Sequence, residues 1–319
     1  MLACGGQLKN TFCLVSGDKA YVSQHIGDLE NLETYENFTR ALANYQSLFA
    51  LTPSLVAHDR HPDYLSTTFA EQYAKERHLP CLAVQHHHAH IVSCMVENGL
   101  RETVIGVAFD GLGYGEDETL WGGEFLLANY RDFERQYHFK AVPMPGGTLA
   151  IKEPWRMALS YIYSEQSDEG LGASGFAPVV EALVAKYGSK TIDLIRSQVA
   201  KGINAPLTSS CGRLFDALSA LLGVCAQASY EGQAAIELEA LAQESTVSDQ
   251  FLFDNTYPIV MSTAQTIDPY CILLAAYRDF QAGTSASLVA AKFHATIAQT
   301  VLNVCQKIRQ DKDLSLIHI

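Results

Sequence analysis

No Cys-x-x-Cys pair occurs among the eight cysteines, which lie singly at Cys4, Cys13, Cys81, Cys94, Cys211, Cys225, Cys271 and Cys305. That spacing excludes a zinc ribbon. A chain of 319 residues has no need of disulfides to hold a core, so reduced thiols in a cytoplasm are expected. No apolar run approaches the roughly 18 to 20 residues that cross a bilayer. The opening MLACGGQLKN lacks the basic segment, apolar stretch and cleavage site of an export signal. Bases are scarce, 22 against 35 acids for a net charge of −13. That balance argues against a broad nucleic-acid surface while leaving room for one local basic site for a phosphate. Low-complexity tracts and linkers rich in Pro, Ser or charge are absent, so any two lobes are tightly joined. What is plentiful is apolar side chain, 48% of residues beside 18% charged. That suffices for the core of one large domain or of two of about 150 residues.

The order of patterns predicts an α/β chain. Alternation predicts a hairpin from Asn10–Ser16 and Lys19–His25 around Gly17-Asp18. Helix-period apolar positions follow over Glu33–Ala50, then a strand Ser54–His58, a helix Tyr64–Arg77 and a strand Cys81–Gln85. A second cycle opens with the strand TVIGVAFDG from Thr103, returns over Leu120–Asn129 and adds a third strand over His138–Met144. The two openings read as topologically similar halves facing a shared cleft, or else as two unrelated hairpins. Beyond Pro145-Gly146-Gly147 the chain reads as mainly helical. Helices are expected over Glu153–Tyr163, Phe176–Lys186, Thr191–Lys201, Leu214–Ala226, Gln233–Gln243 and Val289–Arg309. Phe251–Phe253 and Ile259–Met261 read as short strands.

Four histidines within Gln85-His86-His87-His88-Ala89-His90 stand where a strand gives way to a helix. His86 and His90, at i and i+4, share one helical face, the spacing for two imidazoles on one metal ion that needs a carboxylate from elsewhere. The plainer alternative is a corner whose histidines only bond the backbone. DGLGYGEDETLWGGE, Asp110 to Glu124, packs five glycines with five acids. Glycines admit close ligand approach, and acids hold a divalent cation that bridges to phosphate, although such turns are also ordinary solvated hairpins. Thr208-Ser209-Ser210-Cys211-Gly212-Arg213 precedes a helix and suits an anion held at its N-terminus, with Arg213 as clamp and Asp216 one turn on; an ordinary N-cap is the alternative. Glu237 lies near a further helix start, where it and Asp216 are candidates to reach ribose hydroxyls; capping of that helix by Glu231 competes with this reading. Cys211 has no neighbouring base in sequence and is not expected to be a nucleophile.

These segments, LACGGQLKNTFCL, SQHIGDLENLETYENF, AHDRHPDYLST, VQHHHAHI, FDGLGYGED with LWGGEF, EPWRMALS, SSCGRLFDALSALLG and YEGQAAIELE, resemble in order the HypF carbamoyltransferases of nickel–iron hydrogenase maturation, specifically their C-terminal TsaD-like domain. The resemblance covers Leu2 to about Asp313. It implies an actin-like (ASKHA, ribonuclease H-like) two-lobed α/β fold: a first lobe over 1–102, then a second over 103–313 with a helical insertion near 150–245. It also implies passage of a carbamoyl group from carbamoyl adenylate to the C-terminal cysteine thiolate of a HypE-type acceptor, the adenylate being made from carbamoyl phosphate and Mg-ATP by an upstream YrdC-like domain. By motif, His86, His90 and Asp110 match the ligands of an Fe or Zn ion. Lys9 and Asn10 match a loop near the phosphate, and Gly111, Gly212, Arg213, Asp216 and Glu237 match the surroundings of the nucleotide.

The chain departs from the family's pattern at Asp117-Glu118-Thr119 and at Pro145-Gly146-Gly147-Thr148, both in turns, which puts local ligand contacts in question. Leu314–Ile319 does not resemble the family and matches the translation of the mosaic-end adapter of transposon-based sequencing libraries. A non-native tail on a fragment lacking the last strands is therefore expected. The rival activities are a tRNA threonylcarbamoyl transferase, a small-molecule O-carbamoyltransferase, and an inactive metal- and nucleotide-binding fragment.

Overall fold

The computed structural model describes residues 1–164 and 175–312; the tail expected over 314–319 lies outside them. They divide into a unit over Met1–Ala89 and one over His90–Ile319.

The first unit is built on a five-stranded sheet in the order β3-β2-β1-β4-β5. Its strands are β1 (Leu2–Ala3), β2 (Cys13–Ser16), β3 (Lys19–Val22), β4 (Val56–Asp59) and β5 (Cys81–Val84). The first three form an antiparallel meander, whereas β4 joins β1, and β5 joins β4, in parallel. Parallel neighbours need crossovers, which α1 (Leu32–Leu48) and α2 (Leu65–Arg77) supply. Asn31 caps α1 by accepting the Glu33 and Thr34 N–H groups. Leu2, Phe12, Leu14, Leu29, Phe38 and Val56 fill the core, with Phe12 edge-on to Phe38 at 5.8 Å.

The unit boundary falls inside α3 (His86–Glu97). The second unit opens with its own antiparallel meander of β6 (Val104–Tyr114), β7 (Leu120–Ala128) and β8 (Phe133–Phe139), the counterpart of the first. β9 (Val142–Pro143) follows, then the helices α4 (Leu149–Lys152), α5 (Trp155–Ser164), α6 (Ala177–Tyr187) and α7 (Ser189–Lys201). β10 (Leu207–Thr208) joins β7 in parallel and leads into α8 (Cys211–Leu221). Next come α9 (Gln233–Gln243), α10 (Asp249–Asp254), β11 (Val260–Met261), β12 (Thr266–Asp268), α11 (Pro269–Gln281) and α12 (Ala286–Lys312). The sheet runs β11-β12-β8-β7-β10-β9, with β6 also on β7. Phe125, Phe139, Trp155, Phe176, Leu214 and Phe293 are among its fully buried side chains. By length and composition α12 could cross a bilayer, yet half of its apolar window is buried, with Val289, Phe293, Ile297 and Val304 in the core.

Three local expectations change. Phe251–Phe253 is helical, within α10, because the Ser248 hydroxyl accepts the Phe251 N–H and starts a turn there. The strand expected over His138–Met144 is two, β8 and β9, since β8 takes its register from Phe133 opposite Ala128. And β6 runs on through Gly111 and Gly113 to Tyr114, its register shifting between Phe109 and Gly113, so Asp110 sits in the irregular stretch where a strand redirects its side chains.

Candidate metal and nucleotide site

In the first unit the loop between β1 and β2 is shaped by its own side chains. Gly5 has φ +70, and a Cβ there would lie 2.2 Å from the Thr11 carbonyl oxygen, so only glycine fits. Asn10, 1% exposed, donates its amide Nδ2 to the carbonyls of Cys4 (2.9 Å) and Gly6 (2.6 Å). Lys9, exposed and at φ +49, donates its backbone N–H to Asp28. Of the two residues expected near a phosphate, Asn10 therefore spends its amide donors on closing the loop, and Lys9 stands on its outer surface. A Cβ on Gly6 would come 4.0 Å from the His86 ring.

The histidine segment separates as its helical spacing requires. His87 is fully buried with Gln85 Nε2 3.2 Å from its Nδ1, and the His88 N–H donates to Gln85 Oε1. His86 and His90 stand one turn apart on α3, half-buried and exposed respectively. His86 Nδ1 lies 2.6 Å from Asp59 Oδ2 at the end of β4. Burial pushes the Asp59 carboxyl up, but the His86 hydrogen bond and charge, with the His61 N–H, outweigh it and leave the group below its ordinary value.

In the second unit His90 Nε2 lies 3.9 Å from Asp110 Oδ2. Glycine sets this approach. Ile91 occupies the space a Cβ on Gly106 would need, 2.3 Å away, so α3 packs directly on β6 with Ile91 and Met95 against Val104, Ala108 and Trp121. Asp110 Oδ1 accepts the Gly111 N–H at 2.6 Å. The Ser210 hydroxyl, which caps α8 by accepting the Arg213 N–H, lies 2.8 Å from the carbonyls of Asp110 and Gly111. Gly212 is the close-contact residue, since a Cβ there would sit 3.0 Å from the Gly111 Cα. An imidazole nitrogen and a carboxylate oxygen, as on His90 and Asp110, are donors of the kinds that iron and zinc accept.

Arg213 and Asp216 are buried together on the first turns of α8, 3.1 Å apart, and no hydrogen-bond partner occurs for Arg213 Nε or Nη1 among the described residues. Burial, partly offset by Arg213, pushes the Asp216 carboxyl up to about 6. Between its ordinary 3.8 and about 6 the unfolded chain has lost this proton while the folded chain keeps it, so stability falls as pH rises through that window. The urea midpoint of the parent is expected to drop relative to Asp216→Asn between pH 4 and 6; a flat or rising difference contradicts the assignment. Glu237, on α9, accepts from Gln233 Nε2 at 2.7 Å. Burial, then the charges of Glu237 and Asp216, push the Cys225 thiol up. Cys211 is buried, its thiol pushed up to about 12, so it is no nucleophile.

Sequence reasoning missed two residues. Asp59 was visible only as part of AHDRHPDYLST, and its contact with His86 spans 27 positions. Glu124 reads as one more acid of a solvated turn but is 0% exposed, with Oε2 2.6 Å from Arg135 Nε and Oε1 accepting from the Ser209 hydroxyl.

Residues 106–319 match the family model described as carbamoyltransferase, Kae1-like domain, second subdomain, and residues 1–97 match the HypF Kae1-like domain. The chain is 44% identical over 243 residues to carbamoyltransferase HypF2 of Cupriavidus necator, covering 76% of this chain and 29% of that protein. It is 39% identical over 305 residues to carbamoyltransferase HypF of Rhodobacter capsulatus, covering 94% of this chain and 38% of that one. A crystal structure of full-length HypF in a phosphate- and nucleotide-bound form superposes with a TM-score of 0.88 at 41% identity, covering 98% of this chain and 46% of the other. The chain thus spans less than half the length of these relatives, and over that span the α/β fold with its two matched meanders is the Kae1-like one. It belongs to the HypF carbamoyltransferase family.

Proposed function

We propose that this chain carries the carbamoyl-transfer chemistry of its family, moving the carbamoyl group of carbamoyl adenylate to the C-terminal cysteine thiolate of a HypE-type acceptor in the cytoplasm. The observation that carries the reading is the placement of His90 3.9 Å from Asp110, with His86 one turn earlier on the same helix. His86, His90 and Asp110 would hold an Fe or Zn ion, which supplies a Lewis acid for a phosphate or carbonyl oxygen. The buried Arg213 guanidinium and the Ser210-capped start of α8 offer positive potential to the adenylate's phosphate. Asp216 and Glu237 are the candidates for its ribose hydroxyls. In the transfer the acceptor's sulfur forms a bond to the carbamoyl carbon, the carbon–oxygen bond to phosphate breaks, and AMP leaves with the electron pair. No nucleophile is needed within the chain, in keeping with the buried thiol of Cys211. Carbamoyl adenylate would come from a YrdC-like domain and Mg-ATP.

Supplying synthetic carbamoyl adenylate together with a HypE-type protein, a small hydroxyl acceptor or tRNA distinguishes the readings by mass spectrometry of each acceptor. Carbamoylation of the protein thiol alone is the expected result. Transfer to the hydroxyl or to tRNA instead would overturn it, and no transfer to any of the three would leave a binding fragment.

A further inference from the structure

His86 does not stand alone in its unit. Its Nδ1 lies 2.6 Å from Asp59 Oδ2, and the Asp59 side chain is itself 6% exposed. The other oxygen, Oδ1, accepts the His61 backbone N–H at 2.8 Å. The Asp59 carbonyl accepts the Thr67 hydroxyl at 2.9 Å, and β4 pairs Asp59 with Val84, two residues before His86. The carboxylate is thus clamped on one oxygen while the other meets the imidazole. A carboxylate is an acceptor only, so the proton of a neutral His86 ring belongs on Nδ1, which leaves Nε2 as a lone-pair donor.

We propose that Asp59 is a positioning residue for the metal centre: it fixes the tautomer and orientation of His86, so that Nε2 is presented to the ion. Asp59 is not a ligand in this scheme. It acts through His86 in the carboxylate–histidine–metal relay that commonly raises ligand basicity. The inference rests on the reading that His86 binds metal, and the two can fail separately.

The deciding variant is Asp59→Asn on the whole chain. Its amide oxygen can keep the His61 N–H, which turns the NH2 toward His86 Nδ1 and drives the ring proton to Nε2. Zinc affinity, measured by competition with a chromophoric chelator, is expected to fall roughly 10- to 100-fold. A merely structural role for Asp59 would not move the second readout. In 15N spectra of histidine-labelled, metal-free protein, His86 is expected to carry its proton on Nδ1 in the parent and on Nε2 in Asp59→Asn. If the parent binds zinc and Asp59→Asn binds it within threefold, the proposal fails while the metal reading stands. If the parent binds no zinc, both fall. Should the variant not fold, the parent spectrum still decides, since a proton on Nε2 of metal-free His86 overturns the proposal.

Discussion

Alanine at His86 or His90 is expected to leave the chain unable to hold zinc and to abolish the proposed carbamoyl transfer. The two imidazoles supply two of three proposed donors, and a lone histidine with a carboxylate is a poor trap for a transition ion. Removing an outer partner of a ligand costs roughly 10- to 100-fold in affinity, so removing the ligand itself costs more. Elemental analysis of purified protein and zinc titration measure the effect. His78→Asn is the control. His78 is exposed, caps α2 in the left-handed region that asparagine tolerates, and has no part in the proposed site. Metal content that survives in both alanine variants would dispose of the ligand assignment. His87→Ala should separate the roles within one helical turn, since its ring is fully buried beside the Gln85 amide. It should lower the urea midpoint and leave metal content alone.

The second large effect is on stability. Glu124→Ala is expected to cost about 3 kcal/mol, because it takes from Arg135 its fully buried carboxylate partner and leaves only the half-exposed Asp117. Arg135 is held by Glu124 at 2.6 Å and by Asp117 at 3.0 Å, and lies over the Trp121 ring at 4.1 Å. Asp117 in turn accepts from Trp121 Nε1 at 2.8 Å. Since Arg135 is 19% exposed, the cost stays at the lower end for a broken buried pair. The network also reaches the site, for Glu124 Oε1 accepts from Ser209, beside the Ser210 that caps α8. Urea unfolding followed by circular dichroism measures the cost, and a midpoint unchanged in Glu124→Ala would show the pair to be energetically idle.

Much of this molecule is legible in the amino acids. Strand and helix alternate where the two- and 3.6-residue periods change, and His86 and His90 announce themselves because helix spacing alone puts them on one face. The misses have local causes. Asp268-Pro269 is a good helix start, with the Asp268 side chain accepting the Tyr270 N–H, yet α11 was not foreseen, although Ile272, Leu273, Ala276 and Tyr277 recur within it at helical spacing. Phe251–Phe253 is too short for its period to tell a strand from a single helical turn. Glu124 and Asp59 were overlooked for a common reason. Their partners, Ser209 and His86, lie 85 and 27 positions away, so only the folded chain brings them together. Asn10 shows the converse: a polar residue in a glycine loop suggests ligand binding, and burial has turned its amide inward to the loop's own carbonyls.

The short bond from the Gly111 N–H to Asp110 Oδ1 decides how this carboxylate can meet a cation. One oxygen is taken by the chain, and the other lies on the His90 side. In the proposed site Asp110 would then give a cation its oxygen on the His90 side, and the nitrogens of His86 and His90, donors that calcium and magnesium rarely take, would favour a transition ion over either.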